Sequence, residues 1–361
     1  MSGARLRNTE HVSLLRRHEN MPIITILVLF VIAVVAVQLI TSAAAGEVRF
    51  PVFISAVNWF NIMQQVAVVG VMAMGMTVIM ISGGIDLSVG MMVSMIGIFV
   101  AVSVTKYDML PALAVMIGIG LAVGSEAGMG LIISRTKVEP FIVTLGGMIM
   151  FKGIALLLCQ SREVTMSGEL DFIKTNLIEG ATDADGYRLV FPVFVLIFII
   201  VTVIMWLLMK YTKYGREVYA VGSNPNAAYL AGINVRRLKL VSYALNGLLV
   251  GIAAILMLAR MNVGIITLGQ NLEIDVIAAT VIGGVAMSGG KGNIWGTFIG
   301  VILLGGITNA MNILKLGSEW QFVVKGAIII VAVTASYLSE TYASNASLKK
   351  RISVSALIDR K

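Results

Sequence analysis

Long apolar runs alternate with short polar segments along most of the chain. A hydrocarbon core of about 30 Å requires roughly 20 apolar residues in a helix, so runs near that length predict membrane spans. Such runs, bounded by charges or turn residues, occupy ten positions: Pro22–Ile40, Ile62–Ile81, Leu87–Val104, Leu110–Ile133, Phe141–Leu158, Leu189–Met209, Leu240–Leu258, Ile274–Met287, Ile294–Leu314 and Gln321–Leu338. The pattern predicts an all-α integral membrane protein with about ten transmembrane helices.

Composition agrees with this prediction, and the distribution of charge gives it a direction. Hydrophobic residues make up 58% of the chain and charged residues only 13%. If both termini are cytoplasmic, 18 of the 27 Lys and Arg residues fall on the cytoplasmic side, 7 on the other side and 2 within spans. Basic residues accumulate in cytoplasmic loops, so both termini are predicted to be cytoplasmic. The net charge of +8 then reflects topology and attraction to anionic lipid headgroups, and nucleic-acid binding is not expected.

The polar segments divide the chain into one membrane domain and two tails. We expect a cytoplasmic amino-terminal tail over residues 1–21, a polytopic transmembrane domain over 22–339 and a basic cytoplasmic tail over 340–361. Within the domain, the predicted topology places the acidic loop 159–188 outside the cell. The same topology places the basic loop 210–239 in the cytoplasm.

Several kinds of site chemistry are absent from the sequence. The one cysteine, Cys159, cannot form an internal disulfide or a metal cluster, and both histidines, His11 and His18, lie in the amino-terminal tail. The segment around GGKGN lacks the glycine and the Ser or Thr of a phosphate-binding loop, because Val285 and Gly292 occupy those positions. We therefore expect no metal site and no catalysis by this chain, and we interpret GGKGN as a tight cytoplasmic turn.

The basic loop has the composition of an ordered structure, YGREVYAVGSNPNAAYLAGINVRR. Ser223 or Asn224 can cap a short helix over Asn226–Leu230, Pro225 suits its first turn and Gly232 can end it. Such a helix on the cytoplasmic face is suited to docking a partner. The alternative is an interfacial helix that only contacts lipid headgroups.

An acidic residue interrupts the apolar pattern after the second predicted span, in the stretch ISGGIDLSVG. Gly83 and Gly84 can break the helix, and Asp86 or Ser88 can cap the next one by accepting bonds from its free amides. Helix breaks at membrane depth need protein or a water-filled cavity around them, so these residues also fit a gate or a path lining. The sequence leaves both interpretations open.

Uncharged amides inside the predicted spans are a second set of candidate path residues. They suit a neutral, hydroxylated solute, and the chain has no ladder of acids or histidines of the kind that a proton-driven pump would need. Each amide can equally be an interhelical hydrogen bond worth about 0.6 kcal/mol. These candidates are Gln64, Gln65, Asn246, Asn309 and Asn312.

A glycine repeat marks one face of the fourth predicted span. Gly120, Gly124 and Gly128 recur every four residues, which allows two helix backbones to approach closely. We expect this face to pack against another helix.

Five segments resemble, in order, the membrane permeases of ABC sugar importers of the ribose, xylose and galactoside class: Gly75–Gly90 (GMTVIMISGGIDLSVG), Val138–Ile154, Gly215–Val235, Leu272–Gly300 and Trp320–Val333. The resemblance implies a ten-helix permease of the bacterial inner membrane that pairs with a second permease chain, identical or related. It also implies a cytoplasmic ATPase with two fused nucleotide-binding domains and an extracytoplasmic sugar-binding protein as partners. ATP and magnesium would bind the ATPase, and this chain would hold no cofactor.

The resemblance also gives the basic loop a specific role. Asn226, Ala227, Ala228 and Gly232 are similar to the E-A-A-x-x-x-G coupling loop of ABC import permeases, with asparagine in place of the glutamate. We therefore expect ATP on the partner to drive alternating access through this loop. The implied coupling residues are Gly215, Arg216, Asn224, Asn226, Ala227, Ala228 and Gly232.

A different class of transporter remains as the alternative. An ion-coupled secondary transporter of a small polar solute would need carboxylates at membrane depth. Asp86 and Glu126 are the candidate ion sites for such a mechanism.

Overall fold

Helices account for nearly all of the regular structure. A computed structural model describes residues 21–44, 52–136, 138–173, 176–182 and 188–334. Its helices are α1 (Met21–Ala44), α2 (Ala56–Ile81), α3 (Val89–Tyr107), α4 (Pro111–Arg135), α5 (Pro140–Cys159), α6 (Val193–Tyr211), α7 (Lys213–Ser223), α8 (Pro225–Leu230), α9 (Val235–Met261), α10 (Leu272–Ile282), α11 (Ile294–Ile313) and α12 (318–334).

Each of the ten apolar runs overlaps one of these helices. Seven of the described helices, α2 to α6, α9 and α11, are long and apolar enough to cross a membrane. The other three runs correspond to α1, α10 and α12. The all-α prediction is confirmed at this level, while the number of crossings and the side of the termini stay predictions. Apart from Met21, the predicted tails lie outside the described residues.

The eighth predicted span is a half-length helix. α10 has 11 residues, which rise about 16 Å, roughly half of a hydrocarbon core. The chain before α10 runs along α3, since Ser94 Oγ donates to the Ile266 carbonyl at 2.8 Å and accepts from the Gly269 N–H at 2.9 Å. An added Cβ at Gly269 would overlap the carbonyl oxygen of Gly90. α10 therefore begins beside the first turn of α3.

The predicted external loop contains strands that the hydropathy pattern did not predict. β1 (Val164–Thr165) pairs antiparallel with β4 (Val263–Gly264), and β2 (Asn176–Thr182) pairs antiparallel with β3 (Arg188–Pro192). β3 occupies the first residues of the predicted sixth span. Consequently α6 begins only after Pro192, whose missing N–H suits a helix start.

The interior of the bundle lies around α2 and α3. Their apolar windows are 78% and 83% buried, against 33% for α4 and 22% for α5. The glycine repeat of α4 lies on the outer side, because an added Cβ at Gly120, Gly124 or Gly128 meets nothing within 4 Å. The expectation that this face packs closely on another helix is therefore wrong within the described part of the chain.

Lys325 on α12 and Asp275 on α10 form an ion pair within the helix bundle. Lys325 Nζ lies 3.0 Å from both carboxylate oxygens, and the two side chains are 22% and 23% exposed. Replacing one partner leaves the other charge unpaired in apolar surroundings, so Lys325→Met should lower the free energy of unfolding by about 1 to 3 kcal/mol. The double variant, Lys325→Met with Asp275→Leu, should regain most of the lost stability. Thermal unfolding of the detergent-solubilised chain measures the difference. A double variant as unstable as the single one would contradict this.

Candidate functional site

Asp86 lies in the irregular segment between α2 and α3, and it is fully buried. α2 ends at Ile81, and Gly83 then adopts a φ of +82°, a conformation that glycine tolerates without strain. The Gly84 N–H donates back to the Ile79 carbonyl at 3.0 Å, so the chain reverses into the bundle. The expected glycine break is present, and it carries Asp86 inward.

The Asp86 carboxylate receives three hydrogen bonds. Its Oδ1 accepts from the Ser88 N–H at 2.8 Å and from the Ser88 hydroxyl at 2.7 Å. Its Oδ2 accepts from the Asn246 side-chain amide on α9 at 2.9 Å. Asp86 therefore links the irregular segment to α9.

A second carboxyl group, that of Glu126 on α4, lies beside Asp86. Glu126 is fully buried, and its Oε1 is 3.3 Å from the Ser88 hydroxyl oxygen. Three polar atoms near this group have no hydrogen-bond partner among the described residues: Glu126 Oε2, Asn246 Oδ1 and Tyr243 Oη. We call Asp86, Ser88, Glu126, Tyr243 and Asn246 the polar cluster.

Glycines allow the helices to close around the polar cluster. An added Cβ at Gly75 of α2 would overlap Asn246 Oδ1, and one at Gly247 would lie 2.8 Å from Glu126 Cβ. An added Cβ at Gly84 would lie 3.1 Å from the Tyr243 hydroxyl. Backbone therefore lies against polar side chains of the cluster at three glycines.

The capping prediction for α3 is correct only in part. Ser88 occupies the N-cap position but makes no side-chain cap hydrogen bond, because its hydroxyl is turned toward Asp86. Asp86 accepts the N–H of Ser88 itself. Thr144 of α5 supports the preceding residue, since its Oγ1 accepts from the Leu87 N–H at 3.2 Å.

The remaining amides predicted to line a path do not join the polar cluster. Asn309 and Asn58 exchange two amide hydrogen bonds of 2.9 and 3.0 Å, and Asn312 Oδ1 accepts from Gln321 at 2.8 Å. These contacts match the interhelical hydrogen-bond interpretation.

Gln64 and Gln65 are half-buried and lie toward the other end of α2. They precede Gly75 by 11 and 10 residues, or about 15 Å of helix. Of the candidate path residues, the structure thus brings together Asp86, Ser88 and Asn246 beside the glycine break.

The short helix of the basic loop forms as the sequence predicts, whereas α7 (Lys213–Ser223) and the start of α9 at Val235 were not predicted within this loop. Asn224 caps α8 by accepting the N–H groups of Asn226 and Ala227, both at 3.0 Å, and Gly232 follows with a φ of +83°. Ser223, the other candidate cap, instead donates to the Tyr219 carbonyl.

α8 presents one face inward and the other outward. Ala228 is buried, whereas Asn226 and Ala227 are exposed. The large side chains of Tyr229 and Leu230 are 72% and 85% exposed. Two large side chains are therefore exposed at the end of α8.

The other two implied coupling residues lie on α7. Gly215 is buried and its N–H donates to Thr212 Oγ1, while Arg216 is exposed. Tyr214 joins α7 to α9, since its hydroxyl lies 2.7 Å from Ser242 Oγ. Burial raises the pKa of Tyr214 to about 12, so this hydroxyl stays protonated at any physiological pH.

The last turn of α7, which contains Gly222, meets two glycine-containing turns. The Gly290 N–H donates to the Ile81 carbonyl at the end of α2, at 2.8 Å. An added Cβ at Gly222 would overlap that same carbonyl oxygen and would lie 2.6 Å from the Gly290 nitrogen; one at Gly289 would lie 3.0 Å from Gly83 Cα. We call Ile81, Gly83, Gly222, Gly289 and Gly290 the glycine joint. It connects the α7–α8 unit to the glycine break that positions Asp86.

Tyr243 and the packing of Gly222 in the glycine joint were not predicted from the sequence. Tyr243 precedes Asn246 by three residues and so shares its helix face, a spacing that was available as a signal. The packing of Gly222 against Ile81 had no comparable local signal, because these residues are far apart in the chain.

Together, a bundle of apolar helices, a buried polar cluster at a helix break and an exposed short helix at one end define a polytopic membrane protein of the transporter class. The sequence matches, over residues 58–333, the protein family described as the permease component of branched-chain amino acid transport systems. The chain belongs to this family of ABC-importer permeases, and it is a multi-pass protein of the bacterial inner membrane.

Several relatives within this class are named as sugar permeases. The chain is 38% identical to the ribose import permease of Bacillus subtilis (strain 168), over 78% of this chain and 85% of the relative. It is 33% identical to the xylose transport system permease of Haemophilus influenzae, over 78% and 89%. It is 32% identical to the fructose import permease of Rhizobium meliloti, over 82% of both chains. No solved structure matches the chain.

Proposed function

We propose that this chain is the permease subunit of an ATP-driven importer and forms the translocation path for a sugar or sugar-like solute. The observation that carries the proposal is the similarity to permeases named for ribose, xylose and fructose over more than three quarters of the chain. Relatives for three different sugars support the substrate class, not one particular sugar.

Alternating access is the proposed mechanism. In it, a cytoplasmic ATPase with two fused nucleotide-binding domains binds ATP and magnesium, and an extracytoplasmic binding protein delivers the sugar. A second permease chain, identical or related, completes the path. In this mechanism the chain itself catalyses no hydrolysis. Its helices line the path and move as access alternates.

The exposed end of α8 supports a docking role for the basic loop. Leu230 and Tyr229 are open to solvent, while Ala228 fixes the helix to the rest of the chain. Motion of a docked ATPase would reach α7 and then the glycine joint. From there it would act on the segment that carries Asp86, so one continuous set of contacts links docking to the polar cluster.

The docking role is tested by Leu230→Glu. The tagged chain is purified from its native membranes in mild detergent, and the co-eluting ATPase is quantified by mass spectrometry. A carboxylate buried in an apolar contact costs several kcal/mol, so we expect at least about tenfold less ATPase with the variant.

Leu110→Glu is the matched control. Leu110 is 69% exposed at the start of α4, on the predicted external side, so its replacement should leave ATPase recovery unchanged. Equal recovery of the ATPase with Leu230→Glu and the unaltered chain would refute docking through α8.

A further inference from the structure

The hydrogen-bond donors around Asp86 and Glu126 are divided unequally. Asp86 receives the Ser88 N–H, the Ser88 hydroxyl and the Asn246 amide, at 2.8, 2.7 and 2.9 Å. Three donors suit an ionised carboxylate, which accepts but cannot donate. The contact of Glu126 with Ser88 is longer, at 3.3 Å, and Glu126 Oε2 has no partner among the described residues.

The Ser88 hydroxyl has only one hydrogen to give. At 2.7 Å from Asp86 and 3.3 Å from Glu126, that hydrogen belongs to the bond with Asp86. Ser88 then presents lone pairs to Glu126. The contact is favourable only if Glu126 carries a hydrogen and donates it to Ser88 Oγ.

Among the described residues, no Lys or Arg contacts either carboxyl group to balance a second negative charge. In the described part of the chain, Ser88 and Asn246 contact the pair, Gly247 lies against the Glu126 side chain, and Tyr243 on α9 is the one other titratable group beside it. The ion pairs found within the described residues, Lys213–Glu217 and Lys325–Asp275, involve other acids. Two unpaired carboxylates this close and fully buried would cost several kcal/mol.

We propose that Asp86 and Glu126 form a one-proton carboxyl pair, in which neutral Glu126 donates through the Ser88 hydroxyl to ionised Asp86. Glu126 is then a positioning residue that holds the segment between α2 and α3 against α4. Gly247 fits this role, because only a glycine there leaves room for the Glu126 side chain. The proposal concerns the folded chain itself and stands whether or not the chain is an importer.

Infrared spectroscopy tests the proton directly. The full-length chain in lipid nanodiscs should show the carbonyl stretch of a protonated carboxylic acid at neutral pH, with a shift on transfer to D₂O. The difference between the unaltered chain and Glu126→Gln isolates the Glu126 contribution, and the band should be lost in that variant. Glu139→Gln, at an exposed acid just before α5, is the control and should retain it. A difference spectrum without the band would overturn the proposal.

The pH dependence of unfolding provides a second readout. In the folded chain Glu126 would keep its proton, whereas in the unfolded chain it would lose that proton above the usual titration range of glutamate. The free energy of unfolding should therefore fall as pH rises. Relative to Glu126→Gln, the unfolding equilibrium constant should increase about tenfold per pH unit between mildly acidic and neutral pH.

Two further results would contradict the one-proton carboxyl pair. Parallel pH profiles for the unaltered chain and Glu126→Gln would show that no proton is bound there. The glutamine amide supplies the same donor to Ser88 as a neutral carboxyl group, so failure of Glu126→Gln to fold would also contradict the proposal.

Discussion

Gly222→Ala is expected to reduce uptake by this permease at least about fivefold. The added methyl group would overlap the Ile81 carbonyl oxygen and would come within 2.6 Å of the Gly290 nitrogen, so the end of α7 must move away from α2. Overpacking of this kind costs about 1 to 3 kcal/mol, which lowers the population of the packed arrangement roughly 5- to 150-fold. Sugar uptake by membrane vesicles that contain the complete transporter measures the effect.

Gly124→Ala is the matched control for this prediction. Gly124 is also helical, but an added Cβ there meets nothing within 4 Å. Alanine favours the helix over glycine by about 1 kcal/mol, so uptake should be retained and stability should be equal or higher. If Gly222→Ala supports uptake at the unaltered rate, the close contact at the glycine joint is not required and the path of coupling through it is wrong.

Asp86→Leu is expected to destabilise the fold more than any other single change in the polar cluster. The substitution removes the acceptor for two Ser88 donors and for the Asn246 amide, all in the interior. Leaving a buried donor unsatisfied costs about 1 to 3 kcal/mol for each donor. The loss should appear as a lower thermal unfolding midpoint in detergent and as little chain recovered from the membrane.

Asp86→Asn separates the lost hydrogen bonds from the lost charge. Its Oδ1 can still accept from Ser88, and rotation of the Asn246 amide can turn the unpartnered Oδ1 of Asn246 toward the new amide. Asp86→Asn should therefore be distinctly more stable than Asp86→Leu. Equal stability of the two variants would show that hydrogen bonding to Asp86 does not hold this segment in place.

Local sequence signals predicted the local parts of the structure. The Asn224 cap, Pro225, the short helix and Gly232 follow each other within nine residues, and each has its own conformational preference, so α8 could be read directly. The break at Gly83 and Gly84 was predicted for the same reason. The helical character of the apolar runs follows from their length and composition.

Contacts between distant residues could not be read in this way. Asp86 and Asn246 are separated by 160 positions, and nothing in either segment indicates the other. The half-length of α10 depends on a preceding chain that packs along α3, and the late start of α6 depends on the pairing of β3 with β2. Hydropathy identifies apolar segments. It does not predict the helix ends that tertiary contacts determine.

The most direct test of the central claim is sugar accumulation in proteoliposomes. The chain is reconstituted with the ATPase that co-purifies with it and supplied with the extracytoplasmic binding protein, and uptake of radiolabelled ribose, xylose or fructose is followed. The account predicts accumulation of at least one of these sugars that requires ATP and magnesium on the ATPase side and persists when ion gradients are collapsed. Accumulation driven by an ion gradient without ATP would contradict it and would identify an ion-coupled transporter.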